Sequence, residues 1–311
     1  MHTHQHQPDV TYEGRPLARP QEELTDQGLG FDVATMVSRR HLLRAFGLGA
    51  AALGLAACSS AATTSPTTSP TATSGEIPDE TAGPYPGDGS NGPNVLELDG
   101  VVRSDIRSSF GGATGTAAGV PMTLELLIQD LAHDGAPFAG VAVYVWHCTR
   151  EGGYSLYSDG VTDQNYLRGV QIADQDGRVR FTSIFPACYS GRWPHIHFEV
   201  YPDRASITDD SNVIATSQVA LPQEVCDAVY SQPGYEASVS TMARVSLDSD
   251  NVFADDGGAS QLASVTGDVS GGYTVALTVR VDTATTPTGG QNAGDGAPSG
   301  RPGDRVPSGR S

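Results

Sequence analysis

His195 and His197 stand one residue apart in the segment Phe185-Pro186-Ala187-Cys188-Tyr189-Ser190-Gly191-Arg192-Trp193-Pro194-His195-Ile196-His197-Phe198-Glu199-Val200. On a β-strand successive side chains point to opposite faces, so both imidazoles share one side while Ile196, Phe198 and Val200 share the other. Two imidazoles on a rigid strand are a common start for a metal site. The pair alone does not define the chemistry: with Glu199 on the same face as a third ligand it would suit a zinc or other metal hydrolase. Tyr189 lies shortly before His195 on a Pro- and Gly-rich loop that can fold back over the strand, and Arg192 brings a cation to the same loop. A second segment, Trp146-His147-Cys148-Thr149-Arg150-Glu151-Gly152-Gly153-Tyr154-Ser155, ends a strand in a glycine turn with a tyrosine just beyond it. Each residue has an ordinary reading as well. Tyr154 can be a turn tyrosine, Tyr189 can pack beside Trp193, Arg192 can pair with a surface acid, and His147 reads as a buried hydrogen-bonded histidine.

The elements that must carry these residues show a period of two. Met122, Leu124, Leu126 and Ile128 alternate with Thr123, Glu125 and Leu127, and Val141, Val143 and Val145 with Ala142, Tyr144 and Trp146. Tyr273, Val275, Leu277 and Val279 alternate with Thr274, Ala276 and Thr278. Turn residues separate these runs at Asp134-Gly135, Gly152-Gly153, Asp176-Gly177 and Pro202-Asp203. One helical window, Leu221–Tyr230, is expected to start at Pro222. The pattern predicts an all-β domain over residues 76–282, an antiparallel β-sandwich with long loops and a few short helices.

Outside that domain the composition changes. Residues 1–57 read as a targeting segment: Ser38-Arg39-Arg40-His41-Leu42-Leu43-Arg44 is a twin-arginine pattern, followed by an apolar run from Ala45 to Ala57 too short to span a bilayer. Leu55-Ala56-Ala57-Cys58 resembles the lipobox of bacterial lipoproteins. The expectation is export by the twin-arginine route, lipidation of Cys58, and residence on the outer face of the cytoplasmic membrane or outside the cell. Translation starting at Met36 rather than Met1 would suit this arrangement. Residues 58–75 are rich in Ser, Thr, Ala and Pro and read as a tether, and 283–311 as a disordered tail. The net charge is -18 and every basic residue is arginine, which excludes nucleic acid as a partner. Membrane contact is expected through the lipid alone. With Cys58 assigned to lipid, Cys148, Cys188 and Cys226 remain. Of the three pairings, Cys188–Cys226 is the expected bridge, with Cys148–Cys188 the alternative.

The two chemistry-bearing segments resemble the intradiol dioxygenases, a family that includes protocatechuate 3,4-dioxygenase and catechol 1,2-dioxygenase. Gly152-Gly153-Tyr154-Ser155, then Tyr189, then Arg192-x-x-His195-x-His197 carry the likeness. Thr81-Ala82-Gly83-Pro84-Tyr85 is similar to the family's Thr-Glu-Gly-Pro-Tyr motif, with Ala82 in place of Glu, and Leu167-Arg168-Gly169 with Asp174 and Asp176-Gly177 fits its connecting segment. The resemblance implies one Fe(III) per chain held by Tyr154, Tyr189, His195 and His197. It implies insertion of O2 between the two hydroxylated carbons of a catechol to give a cis,cis-muconate, in the catabolism of aromatic compounds. Tyr189 would also act as a base, and Arg192 and Gln218 would act at the substrate ring. Tyr85 and Trp146 are candidates to line the pocket, with core packing the alternative for Trp146. The donor set agrees with elementary chemistry, because ferric iron is a hard acid and a phenol loses its proton to such a cation. The partners expected are therefore a small aromatic diol and O2. Two other functions stay in view: the His-ligated hydrolase, and a non-catalytic surface β-sandwich that binds through its aromatics. The ring that enters the site and the oligomeric state, a homodimer included, are left open.

Overall fold

The computed structural model describes residues 75–287, together with two short strands nearer the amino end, β1 (Thr11–Tyr12) and β2 (Arg15–Pro16), which pair antiparallel. The twin-arginine segment, Cys58 and the residues beyond 287 lie outside the described residues.

Two sheets make up the body of residues 75–287. In the first, β3 (Pro121–Asp130) is central. It pairs antiparallel with β7 (Arg178–Ile184) and, at its end, with β4 (Ala136–Pro137). On its other side lies β11 (Gly272–Val281), which pairs antiparallel with β10 (Ser264–Asp268). The β3–β11 pair is parallel, from Met122 opposite Tyr273 to Asp130 opposite Val281. This departs from the antiparallel expectation. Almost the whole domain separates the two strands in sequence, so no hairpin constrains their direction.

The second sheet has the order β6-β5-β8-β9, all pairs antiparallel: β6 (Arg168–Ile172), β5 (Ala142–Trp146), β8 (His195–Tyr201) and β9 (Ala215–Ala220). Leu124, Leu126 and Ile128 of β3, Phe181 of β7 and Val275 of β11 share one core cluster with Val143 and Val145 of β5 and Ile196, Phe198 and Val200 of β8. Burial of these aliphatic and aromatic side chains is the main stabilising term of the fold.

The opposite face of the second sheet is buried too. Ala82, Val95, Leu96 and Val101 of the lead-in chain pack there against Tyr144, Trp146 and Tyr201. Backbone bonds pin that chain at both ends, from Glu80 N to Thr216 O (2.7 Å) and from Val170 N to Val101 O (2.8 Å). Every residue of β5 and β8 is therefore buried, and their alternation separates two cores rather than core from water.

The expected helix is present as α1 (Gln223–Tyr230), with Pro222 at its N-cap and Cys226, Val229 and Tyr230 buried along one face. A second helix, α2 (Glu236–Met242), follows. Cys148, Cys188 and Cys226 are all buried free thiols, so the expected Cys188–Cys226 bridge is not formed. The sulfurs instead face backbone carbonyls: Cys188 Sγ that of Arg192 (3.6 Å), Cys148 Sγ that of Ala187 (3.7 Å) and Cys226 Sγ that of Leu221 (4.0 Å). Burial pushes the Cys148 and Cys188 thiols up to about 12, keeping them protonated.

Candidate metal centre

Strand register brings distant residues into one row. Trp146 of β5 stands opposite Arg168 of β6 on one side and His197 of β8 on the other, and His197 stands opposite Gln218 of β9. His195 lies next along the same face of β8. Trp146 stacks flat on His197, with ring centroids 4.9 Å apart and planes 7° from parallel. That contact fixes the plane of the imidazole.

Two loops supply the tyrosines. Beyond β5 the chain turns sharply: Thr149 N donates to Gly153 O (2.8 Å) and Gly152 N to Thr149 O (3.1 Å). Gly152 has φ +92°, a backbone conformation that favours glycine, and a Cβ there would lie 3.4 Å from Tyr189 Cβ, so the second loop passes close by. The turn delivers Tyr154, 2% exposed, with its N–H donating to Ser158 Oγ (2.8 Å). Tyr189 comes from the Pro- and Gly-rich loop before β8 and is half-buried.

The four expected donors converge. Tyr154 Oη is 3.4 Å from Tyr189 Oη, Tyr189 Oη is 3.1 Å from His195 Nε2, and His195 Nε2 is 3.1 Å from His197 Nε2. His195 Nδ1 donates to Trp193 O (2.5 Å). Because a carbonyl only accepts, the proton of neutral His195 sits on Nδ1 and leaves a lone pair on Nε2. Burial, reinforced by the charge of Arg192, holds both imidazoles well below their ordinary value, hence neutral. Burial pushes the Tyr189 phenol up to about 12 and Tyr154 well above 10. One buried lone pair is thus approached by a phenol, a second imidazole nitrogen and Arg192 Nη1 (3.4 Å), while His197 Nδ1 has no hydrogen-bond partner. Two phenols and two imidazoles around one point suit a hard trivalent cation, which would turn the phenols into phenolates and accept both nitrogen lone pairs.

Beside the donors runs a polar chain. Arg192 Nε donates to Asp250 Oδ2 (3.0 Å) and its Nη2 to Gln218 Oε1 (2.5 Å), while Gln218 Nε2 donates to Thr81 O (3.0 Å). Asp250 is a site residue that sequence reading missed; no periodic or glycine-rich signal marks it. The lead-in segment also contributes directly. Gly83, at φ +72°, would place a Cβ 3.4 Å from His197 Cε1, and Tyr85 packs 5.0 Å from the Tyr154 ring.

Trp146 and Glu199 each have an alternative reading. Trp146 follows the core-packing one: it is wholly buried between Tyr144 and His197 and backs the histidine. Glu199 shares the His197 face, but Tyr201 Oη donates to it (2.9 Å), and burial followed by the charge of Asp88 pushes it well above the usual carboxyl range. Among the described residues no three His, Cys, Asp or Glu side chains are grouped to hold a metal, which removes the ligand set of the hydrolase. His147 is the satisfied core histidine expected of it, with Nδ1 on Cys148 O (2.8 Å) and Nε2 on Ser183 Oγ (2.7 Å).

Residues 93–203, which include Tyr154, Tyr189, Arg192, His195 and His197, match the family model described as "Dioxygenase". The chain is 42% identical over 55 residues to chlorocatechol 1,2-dioxygenase of Rhodococcus opacus, covering 18% of this chain and 21% of that protein. It is 36% identical over 93 residues to catechol 1,2-dioxygenase of Pseudomonas sp. (strain EST1001), covering 30% of this chain and 28% of that one. The matched stretch, which carries all four expected donors, is thus similar to intradiol dioxygenases. The chain spans about a quarter of the length of these curated relatives. Among solved structures, the intradiol ring-cleavage dioxygenase from Tetranychus urticae has a similar fold, with a TM-score of 0.55 at 22% identity over 68% of this chain and 97% of that one. The β-rich arrangement of two sheets with few helices is thus one that this solved structure shares.

Proposed function

We propose that this chain is a ferric-iron intradiol dioxygenase that inserts both atoms of O2 between the hydroxylated carbons of a catechol, giving a cis,cis-muconate. The observation that carries the reading is the continuous run of contacts from Tyr154 Oη to Tyr189 Oη, His195 Nε2 and His197 Nε2, which gathers the four donors in one place. These four side chains would hold the iron. When bound there, ferric iron supplies Lewis acidity toward a chelated catechol and with it reactivity of a ring carbon toward O2.

The chain's own groups supply the rest. Trp193 O keeps the proton of His195 on Nδ1, so Nε2 stays a donor. Tyr189, half-buried, would in its phenolate form be the group suited to take a hydroxyl proton from the entering diol. Arg192 Nη1 faces the same point and stabilises negative charge that develops on the ring. Gln218 holds Arg192 from the far side. Tyr85 and the chain around Gly83 close over Tyr154 and His197 and limit water. The two sheets sharing one cluster support reading the body as a β-sandwich, and the leader supports an exported, Cys58-lipidated enzyme of aromatic catabolism.

The test is direct. Protein purified with iron should contain about one iron per chain, show a visible phenolate-to-iron band, and convert O2 and a catechol to a muconate. A catechol panel then names the ring. Colourless protein that cannot be reconstituted with iron and consumes no O2 with any catechol would defeat the reading.

A further inference from the structure

Asp250 is wholly buried and saturated with donors. Oδ1 accepts from Val252 N (2.8 Å) and Phe253 N (3.2 Å), bonds that lock the carboxylate onto its own loop. Oδ2 accepts from Arg192 Nε (3.0 Å) and Trp193 N (2.6 Å). A guanidinium is planar, so two fixed nitrogens fix the third. Asp250 holds Nε and Gln218 holds Nη2, and the remaining Nη1 is thereby aimed to 3.4 Å from His195 Nε2. Trp193, whose N–H gives that oxygen its second bond, also carries the carbonyl that sets the proton of His195.

We infer that Asp250 is the positioning residue of this centre, aiming Arg192 at the substrate ring and balancing its charge beside the metal ligands. The inference rests on the ferric catechol reading of the site. The charge balance matters because an unneutralised guanidinium so near a ligand nitrogen opposes a cation there. Paired with a buried carboxylate, Arg192 can serve the substrate's negative charge without repelling the metal. The side chain of Asp250 touches neither proposed ligand nor substrate and acts through Arg192 and Trp193.

A double-mutant cycle tests this, using Asp250→Asn, Arg192→Gln and both together in the iron-loaded protein. Each variant is assayed for O2 uptake with catechol. Each is also titrated without O2 with a nitrocatechol, whose ring-anion absorption reports charge stabilisation at the site. Asp250→Asn is expected to lower kcat by about tenfold to a hundredfold, the range for a misaimed catalytic group, and to shift the nitrocatechol band. The double variant should be no slower than Arg192→Gln, although the melting temperature falls with Asp250→Asn in both backgrounds. An equal loss of kcat from Asp250→Asn in both backgrounds, or an unmoved nitrocatechol band, would overturn the inference. If Asp250→Asn does not fold, Asp250→Glu keeps the charge but displaces the guanidinium. It should still lower kcat and move the band, and wild-type values for both would refute the role. Wild-type protein that binds no iron and turns over no catechol defeats the proposed function itself, whereas active wild type with an additive cycle defeats only the role of Asp250.

Discussion

Arg168 carries a stability prediction that can be worked through bond by bond. Its guanidinium is 1% exposed and forms no ion pair with a carboxylate among the described residues. Neutral oxygens surround it: Nε donates to Ser155 Oγ (3.0 Å), Nη1 to Pro86 O (2.6 Å) and Tyr144 Oη (3.1 Å), and Nη2 to Tyr85 O and Ser155 O (both 2.9 Å). Arg168→Met keeps the volume of the stem and removes these bonds. Pro86 O retains Tyr144 Oη as donor at 2.7 Å, and Ser155 Oγ still donates to Tyr166 O at 2.7 Å. Tyr85 O and Ser155 O lose the one partner described for each. At about 1–3 kcal/mol for an orphaned buried carbonyl, the loss is about 2–6 kcal/mol. Removing a buried unpaired cation returns part of it, leaving a net cost of about 3 kcal/mol. Lysine has three N–H donors for five acceptor contacts, so Arg168→Lys should recover only part. Urea unfolding of the metal-free protein measures this at constant m. The two orphaned carbonyls belong to the Tyr85 segment and to the neighbour of Tyr154, so retained iron should fall as well. A methionine variant within about 0.5 kcal/mol of wild type would refute the clamp, since that is the size of an ordinary surface change.

Three further outcomes follow from the structure. Tyr154→Phe should lower the visible band and the catechol activity together by about a hundredfold or more in rate, and full retention of both would exclude Tyr154 as a ligand. Burial lowers His147 to about 4 against 6.5 in the open chain, so below pH 6.5 the unfolded state takes up a proton that the folded state refuses. Its contribution is therefore complete above pH 6.5 and is lost as pH falls toward 4, by up to about 3 kcal/mol. His147→Gln should flatten the urea midpoint between pH 7 and pH 5 relative to wild type, and an unchanged pH slope would count against a neutral buried imidazole. With all three described thiols free, dithiothreitol should leave the melting temperature unchanged, whereas a fall of several degrees would reveal a bridge.

Much of the fold is legible because one face of each principal strand enters a shared core. The alternation around Leu124, Val143 and Val275 marks three strands that the structure contains, and Pro222 marks the start of α1. The common face of His195 and His197 follows from strand geometry alone. What stayed hidden depends on contacts between distant segments. Asp250 stands beside Arg192 only because the chain after α2 returns to the site, and nothing in its neighbours' composition encodes that return. The stack of Trp146 on His197 needs the β5–β8 register, which local pattern does not specify. The lead-in chain from Ile77 to Val101 has little periodicity because it covers a sheet face without joining a long ladder. The cysteine pairing failed for a similar reason: parity in the sequence says nothing about where each sulfur points.

The two tyrosines share chemistry, yet the structure separates them. Tyr154 is 2% exposed, sits on a turn tied by Thr149 and Ser158, and is overlain by Tyr85. Its neighbour Ser155 is bound twice by Arg168. Any displacement of Tyr154 would break a buried polar network. Tyr189 is half-buried on a loop with exposed Ser190 and Gly191 after it, and Gly191 lies at φ +82° with open space where a Cβ would stand. Within the proposed function Tyr154 would hold the metal firmly, and Tyr189, on the more exposed loop, would be the donor freer to serve as a base toward the diol. Restricting the loop should then harm turnover more than iron retention. Gly191→Pro, which cannot adopt the positive φ, should lower kcat while the iron content of folded protein stays near one per chain, and a parallel loss of both would show that Tyr189 is as firmly structural as Tyr154.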